Sequence, residues 1–222
     1  MDFESFVLAA STGDLGDEPA ARDHADAIEF RMDLAEEPLG DLEDYDGVLP
    51  VIATNRAPSE GGDADEEGRL ETVAAAAATD AVEAVDVELA SVAAGGGESA
   101  IETARRHGVS TIASVHDFEG TPPASDLSRL GRRAGDVADV AKVAVTALDA
   151  GDVLRLLSVT RELTADGYRV ATMAMGEPGR HSRVIAPLYG SRIGYAPVRE
   201  DEATAPGQFD LETFRDVFER IR

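Results

Sequence analysis

The stretch "VADVAKVAVTAL", residues 137–148, is apolar and β-branched as a buried strand should be, yet it contains Lys142. A charged ammonium inside a buried strand costs several kcal/mol unless it is paired or loses its proton. The chain has 20 basic residues, and Lys142 is the only lysine among them. On a strand, side chains alternate faces. Lys142, Ala144 and Thr146 therefore share one face, and Val143 and Val145 the other. A strand apolar on one face and holding a lone lysine among small residues on the other suits a closed barrel, whose interior can hold a site.

Outward from this stretch the pattern repeats. Short β-branched runs read as strands at 6–11, 27–34, 47–54, 85–90, 110–116, 141–147, 169–175 and 192–198. Helical patterns fall between them, clearest at 66–84, 97–108, 152–167 and 210–222, with Gly108 and Gly167 at helix ends. Eight strands alternating with about eight helices predict an α/β protein, a (β/α)8 TIM barrel, as a single domain over 1–222. A doubly wound open sheet is the alternative. No G-x-G-x-x-G follows the first strand, and polar residues recur at many strand ends, which favours the barrel. Residues 60–68 read as a loop and 199–208 as a lid.

Composition narrows the function. The formal net charge is −24, from 44 acidic and 20 basic residues, which argues against nucleic acid or an anionic membrane as partner. Such an excess of acid over lysine suits a solvated surface in a salty cytoplasm. Without cysteine there is no disulfide, thiol nucleophile or thiolate metal site. The first residues are acidic with a short apolar run, so neither a signal peptide nor a membrane span is expected, and a cytoplasmic, soluble protein is.

Arginine stays protonated, whereas a buried lysine can become a neutral amine and condense with a carbonyl to a Schiff base. That chemistry needs a proton shuttle. His24 and His107 lie in helical patterns and His181 in a loop beside two arginines. His116 closes the fifth strand, next to the lysine strand, and is the best general acid/base. In the second strand Glu29, Arg31 and Asp33 share a face, a cluster that must be paired if it points inward. Arg56 and Arg183, after strands three and seven, suit a carboxylate.

Six motifs stand in order: "EFR" (29–31), "NRAPSEGG" (55–62), "SVHDFEGTP" (114–122), "AKVAV" (141–145), "MAMGEPGRHSR" (173–183) and "APGQF" (205–209). Together they closely resemble type I 3-dehydroquinate dehydratases, over essentially the whole chain. The resemblance implies a barrel, usually a homodimer, that needs no metal or cofactor and eliminates water from 3-dehydroquinate to give 3-dehydroshikimate. It implies an imine between Lys142 and the C3 ketone, proton transfer by His116, and Glu60 orienting that histidine. It places Glu29 and Arg31 on substrate hydroxyl and carboxylate groups, Arg56 and Arg183 in the anion site, and Met173 and Met175 on the pocket wall. Tyr195 stands where an aromatic, often phenylalanine, is expected, and Thr204 where serine is more usual. Gln208 matches a lid glutamine, and Ser11 is a further candidate contact. Two other readings remain: a class I aldolase or transaldolase using the same Schiff base, and a non-catalytic barrel that binds an acidic metabolite.

Overall fold

The computed structural model of the chain describes residues 1–199 and 207–222. Eight parallel strands form one sheet: β1 Val7–Thr12, β2 Ala27–Arg31, β3 Val51–Thr54, β4 Val82–Glu88, β5 Ser110–Asp117, β6 Val140–Thr146, β7 Val170–Met175 and β8 Ile193–Pro197. Their order is β7-β6-β5-β4-β3-β2-β1-β8. The remaining seam lies between β7 and β8. There Ser191 bridges Val170, and the Arg192 N–H donates to the Val170 carbonyl at 2.6 Å. The Ser191 hydroxyl accepts from the Thr172 N–H at 3.0 Å, so a side chain continues the ladder where the strands part. The sheet thus curls into a nearly closed barrel, and the open-sheet alternative is excluded.

The helices are α1 Glu18–Ala21, α2 Pro38–Glu43, α3 Arg69–Ala76, α4 Leu89–Ala93, α5 Gly97–Arg106, α6 Ala124–Val137, α7 Ala150–Ala165, α8 Ser182–Ile185 and α9 Leu211–Ile221. The amphipathic ones bury an apolar stripe against the outer face of the sheet. Leu127 and Ala134 of α6 and Leu156 and Leu163 of α7 pack with Val143 and Val145, the two strand residues expected to face outward. Inward residues form a separate cluster that includes Ala9, Ala27, Ile52, Ala84, Ile112, Ala144 and Met173. Many of these are small, which leaves the upper interior open to longer polar side chains.

The lower end of the barrel is closed by the chain's own start. Phe3, 1% exposed, packs into the inner cluster with Met1 against it. The Met1 amine pairs with Glu83 at 2.7 Å, and the Met1 carbonyl accepts from Ser110.

Several boundaries differ from expectation, among them β3, which begins at Val51 and not 47. β4 begins at Val82, not 85, and α3 ends at Ala76, so the predicted 66–84 helix is too long. The alanine run favours helix by propensity, but Val82, Ala84 and Val85 gain more by pairing with the neighbouring strands. β2 ends at Arg31, and Met32–Leu34 form a 3₁₀ turn. Asp33 therefore reaches Arg31 from that turn, not by strand alternation. Most of the predicted lid, 200–206, lies outside the described residues.

Candidate active site

β5 and β6 run side by side with Ser114 opposite Lys142 and His116 opposite Ala144. This register places the imidazole one inward step above the amine, toward the strands' C-terminal ends, where barrel sites are built. Lys142 is 4% exposed. Its Nζ lies 2.9 Å from Asp86 Oδ2 and 3.4 Å from Glu29 Oε1. The Tyr195 ring from β8 covers it, with Nζ 4.1 Å from the ring centroid. The ammonium in the strand is thus tolerated by two carboxylates and an aromatic face.

Asp86 is the hub of the charges. Arg56 Nη2 donates to its Oδ2 at 2.9 Å and Ser114 to its Oδ1 at 2.6 Å. Burial alone would raise this carboxyl. The Arg56 and Lys142 charges and those hydrogen bonds outweigh it and hold Asp86 far below the usual carboxylate range. Arg56 Nη1 also bonds Glu88 at 3.1 Å and Ser114 at 2.6 Å. Glu88 in turn accepts from Arg69 at 2.5 Å and from the Ala57 N–H at 3.0 Å. Burial works against the Arg56 charge, but Asp86 and Glu88 more than offset it and raise Arg56 above its normal value.

Glu60 comes from the loop after β3. Gly61, at φ +81°, turns the chain there. At Gly62 a Cβ would meet the Arg56 carbonyl at 2.0 Å, so only glycine lets the loop fold back this closely. The result is a Glu60 Oε2 to His116 Nδ1 contact of 2.8 Å. Burial pushes Glu60 up to about 7, with Arg56 opposing and Glu88 and Asp86 adding to the rise. Burial, then the Arg56 and Lys142 charges, hold His116 well below its usual range, so the ring is neutral at pH 7. With Glu60 ionised, Nδ1 carries the proton and Nε2 presents a lone pair.

An open cleft brings these groups together. Glu29, Arg31, Arg56, Glu60, His116, Lys142, Met173, Met175, Arg183, Tyr195 and Gln208 all line it. Thr204, the remaining predicted site residue, lies outside the described residues. Arg31 is tied to Asp33 by contacts of 2.8 and 2.5 Å. Arg183 is 4% exposed, and burial lowers it to about 10. Ser11 does not line the cleft; its hydroxyl donates to Glu29 Oε2 at 2.5 Å. The other histidines stay apart from the cleft, His107 and His181 being exposed.

A buried amine beside carboxylates, with a neutral imidazole above it held by a carboxyl, can form an imine and move protons at the adjacent carbon. The profile of the family described as type I 3-dehydroquinase matches residues 14–222. The chain belongs to the type I 3-dehydroquinase family. It is similar to the 3-dehydroquinate dehydratase of Haloarcula marismortui, 52% identical over 229 residues that cover 100% of this chain and 99% of that protein. The one from Halobacterium salinarum is 53% identical, with 94% of each chain covered. Among solved structures, the 3-dehydroquinate dehydratase of Geobacillus kaustophilus superposes with a TM-score of 0.87 at 27% identity, covering 98% of this chain and 91% of that one.

Within that family's site, sequence reasoning missed Asp86, Glu88, Arg69 and Phe118. The first two had a readable signal. In "VDVE" (85–88) the acids alternate with valines, which puts both on one face of β4 by the same rule that grouped Glu29 and Arg31. Phe118 stacks on His116 with centroids 6.1 Å apart, and lies two residues beyond it. Arg69 had no signal, because its place depends on α3 folding back over β4.

Proposed function

We propose that this chain removes water from 3-dehydroquinate to give 3-dehydroshikimate, through an imine between Lys142 and the C3 ketone. The observation that carries this reading is the chain's one lysine, buried in the same cleft as the His116–Glu60 pair. The net condensation converts an ammonium and a ketone to a protonated imine and water. The imine draws electrons from the neighbouring carbon, so His116 Nε2 removes its proton to leave an enamine. The enamine expels the hydroxyl one carbon further on, and the imidazolium returns the proton to it as water leaves. Water then hydrolyses the product imine and frees Lys142. The electron sink is the imine itself, so the reaction as written calls on no metal or cofactor.

Arg183 is the residue for the substrate carboxylate: it stays charged at neutral pH although burial lowers it to about 10, and an anion against it would offset that desolvation. Arg56 serves differently: its donors hold Glu88 and Asp86, and Asp86 pairs with the amine. Glu29 and Arg31 face the substrate's polar edge, Met173 and Met175 its apolar face, Gln208 lines the same cleft, and the family resemblance adds Thr204 as a substrate contact. A relative supports covalent chemistry at such a site. The type I enzyme of Clostridium difficile, 25% identical with a TM-score of 0.85, was solved with covalently modified comenic acid.

The whole of 1–222 acts as one catalytic unit, as a homodimer in the cytoplasm. The dimer rests on the family resemblance. The cytoplasm rests on the class of biosynthetic enzyme, and among the described residues no helix is long and apolar enough to cross a membrane.

The test is turnover of 3-dehydroquinate, followed by the ultraviolet absorbance of the conjugated product, with sugar phosphates in parallel. Turnover of the former alone supports the reading. Cleavage of sugar phosphates would replace it with an aldolase, and tight binding without turnover with a binding barrel.

A further inference from the structure

Tyr195 covers Lys142 with its ring, a task phenylalanine performs equally well. Its hydroxyl needs another explanation. The phenolic oxygen is buried and has no hydrogen-bond partner among the described residues. A buried hydroxyl without a partner is a standing cost, and removing it would ordinarily be neutral or stabilising. The residue is 4% exposed and lines the cleft. Burial, followed by the Glu29 and Asp86 charges, raises the phenol well above its normal value, so it stays a donor.

The condensation at Lys142 changes the number of donors in this corner. The ammonium has three N–H groups. When it becomes a protonated imine, two hydrogens leave with the ketone oxygen as water, while the positive charge and one N–H remain. Asp86 and Glu29 now share a single N–H. Asp86 keeps its bonds from Arg56 and Ser114. Glu29 keeps the Ser11 bond of 2.5 Å on Oε2, but on Oε1, the oxygen facing the amine, only a long contact of 3.3 Å from Thr54.

We propose that the Tyr195 hydroxyl is the donor held in reserve for the carboxylate that Lys142 releases when the imine forms. Tyr195 is then a positioning residue for the imine stage: idle in the resting site, engaged in the adduct. This rests on the Schiff-base reading above.

The test is Tyr195→Phe, compared with the unaltered protein in three measurements. These are the melting temperature without ligand, the affinity for a ketone-free hydroxy-carboxylate analogue, and the fraction of chains trapped by borohydride with 3-dehydroquinate, alongside kcat. The expected result is an equal or higher melting temperature, analogue affinity within about twofold, and trapped adduct and kcat both lower by about tenfold, the size of one hydrogen bond to a charge. Wild-type adduct and kcat would overturn the proposal. So would a lowered melting temperature that accounts for the lost activity, or an equal loss of affinity for the ketone-free analogue, since either is a structural role. Failure of the unaltered protein to form any adduct overturns the imine itself, and this inference with it.

Discussion

The two ends of the barrel use the same strand alternation to point side chains inward, and fill the space with opposite materials. At the N-terminal end the inward positions carry Val7, Ala9, Ala27 and Ile112, and Phe3 closes them from below. At the C-terminal end the same faces carry Glu29, Arg31, Asp86, Glu88, His116 and Lys142, all with ionic or hydrogen-bond partners. The floor gains free energy from apolar burial and needs no particular chemistry. The mouth spends some of that stability holding charges out of water, because pairing at best offsets their desolvation. Position along one strand therefore decides whether an inward residue stabilises or reacts, and a substitution at either end should betray which.

The largest separation is expected for Lys142→Arg. The charge stays beside Asp86 and Glu29, so the fold should survive with a circular dichroism spectrum like that of the unaltered protein. A guanidinium cannot form the imine, and turnover should fall by about 10⁴-fold or more. Substantial turnover in this variant would break the comparison at the mouth. The reverse case is Phe3→Ala. Emptying the floor should cost about 3 kcal/mol and lower the melting temperature by about 6–12 °C, with kcat nearly unchanged for the folded protein. An equal loss of kcat would show that the floor tunes the site.

The pH profile sharpens the account of the mouth. As pH falls through about 7, Glu60 takes up a proton and becomes the donor to His116 Nδ1. The imidazole then carries its proton on Nε2 and is no longer a base. Activity should be present above this range and lost below it. In Glu60→Gln the amide can only donate to Nδ1 from its NH2 or accept from an Nδ1–H, and it does not titrate. Activity should drop about 10²-fold and the acid limb near 7 should vanish. Persistence of that limb would assign it elsewhere.

Salt should affect neither end in particular, and its effect is the smallest expected. With a net charge of −24, self-repulsion should loosen the shell at low ionic strength. The melting temperature should rise by a few degrees between dilute buffer and molar KCl, and an unchanged value would contradict this.

The strands were legible because β-branched runs alternate with helical ones at every step. The amine and the imidazole were legible because they are scarce: one lysine, and one histidine of four at a strand end. Asp86 and Glu88 escaped notice for the opposite reason. In a chain with 44 acidic residues, two more acids look like solvated surface unless their strand face is traced. The Phe3 floor was not legible either, since residues before β1 show no periodicity, and their burial depends on the far ends of β4, β5 and β8. Strand alternation grouped Asp33 with Arg31, and the two do pair, but from the turn after β2 and not along the strand.

The most direct test of the central claim is reduction with borohydride in the presence of 3-dehydroquinate, followed by peptide mapping. Apart from Lys142, the chain's N-terminal amine is the other primary amine, and it lies at the floor, paired with Glu83 at 2.7 Å. The account predicts one adduct per chain, on the tryptic peptide spanning 134–155, formed only with ligand present and in proportion to lost activity. An adduct at Met1 alone, or inactivation without any adduct, would contradict it.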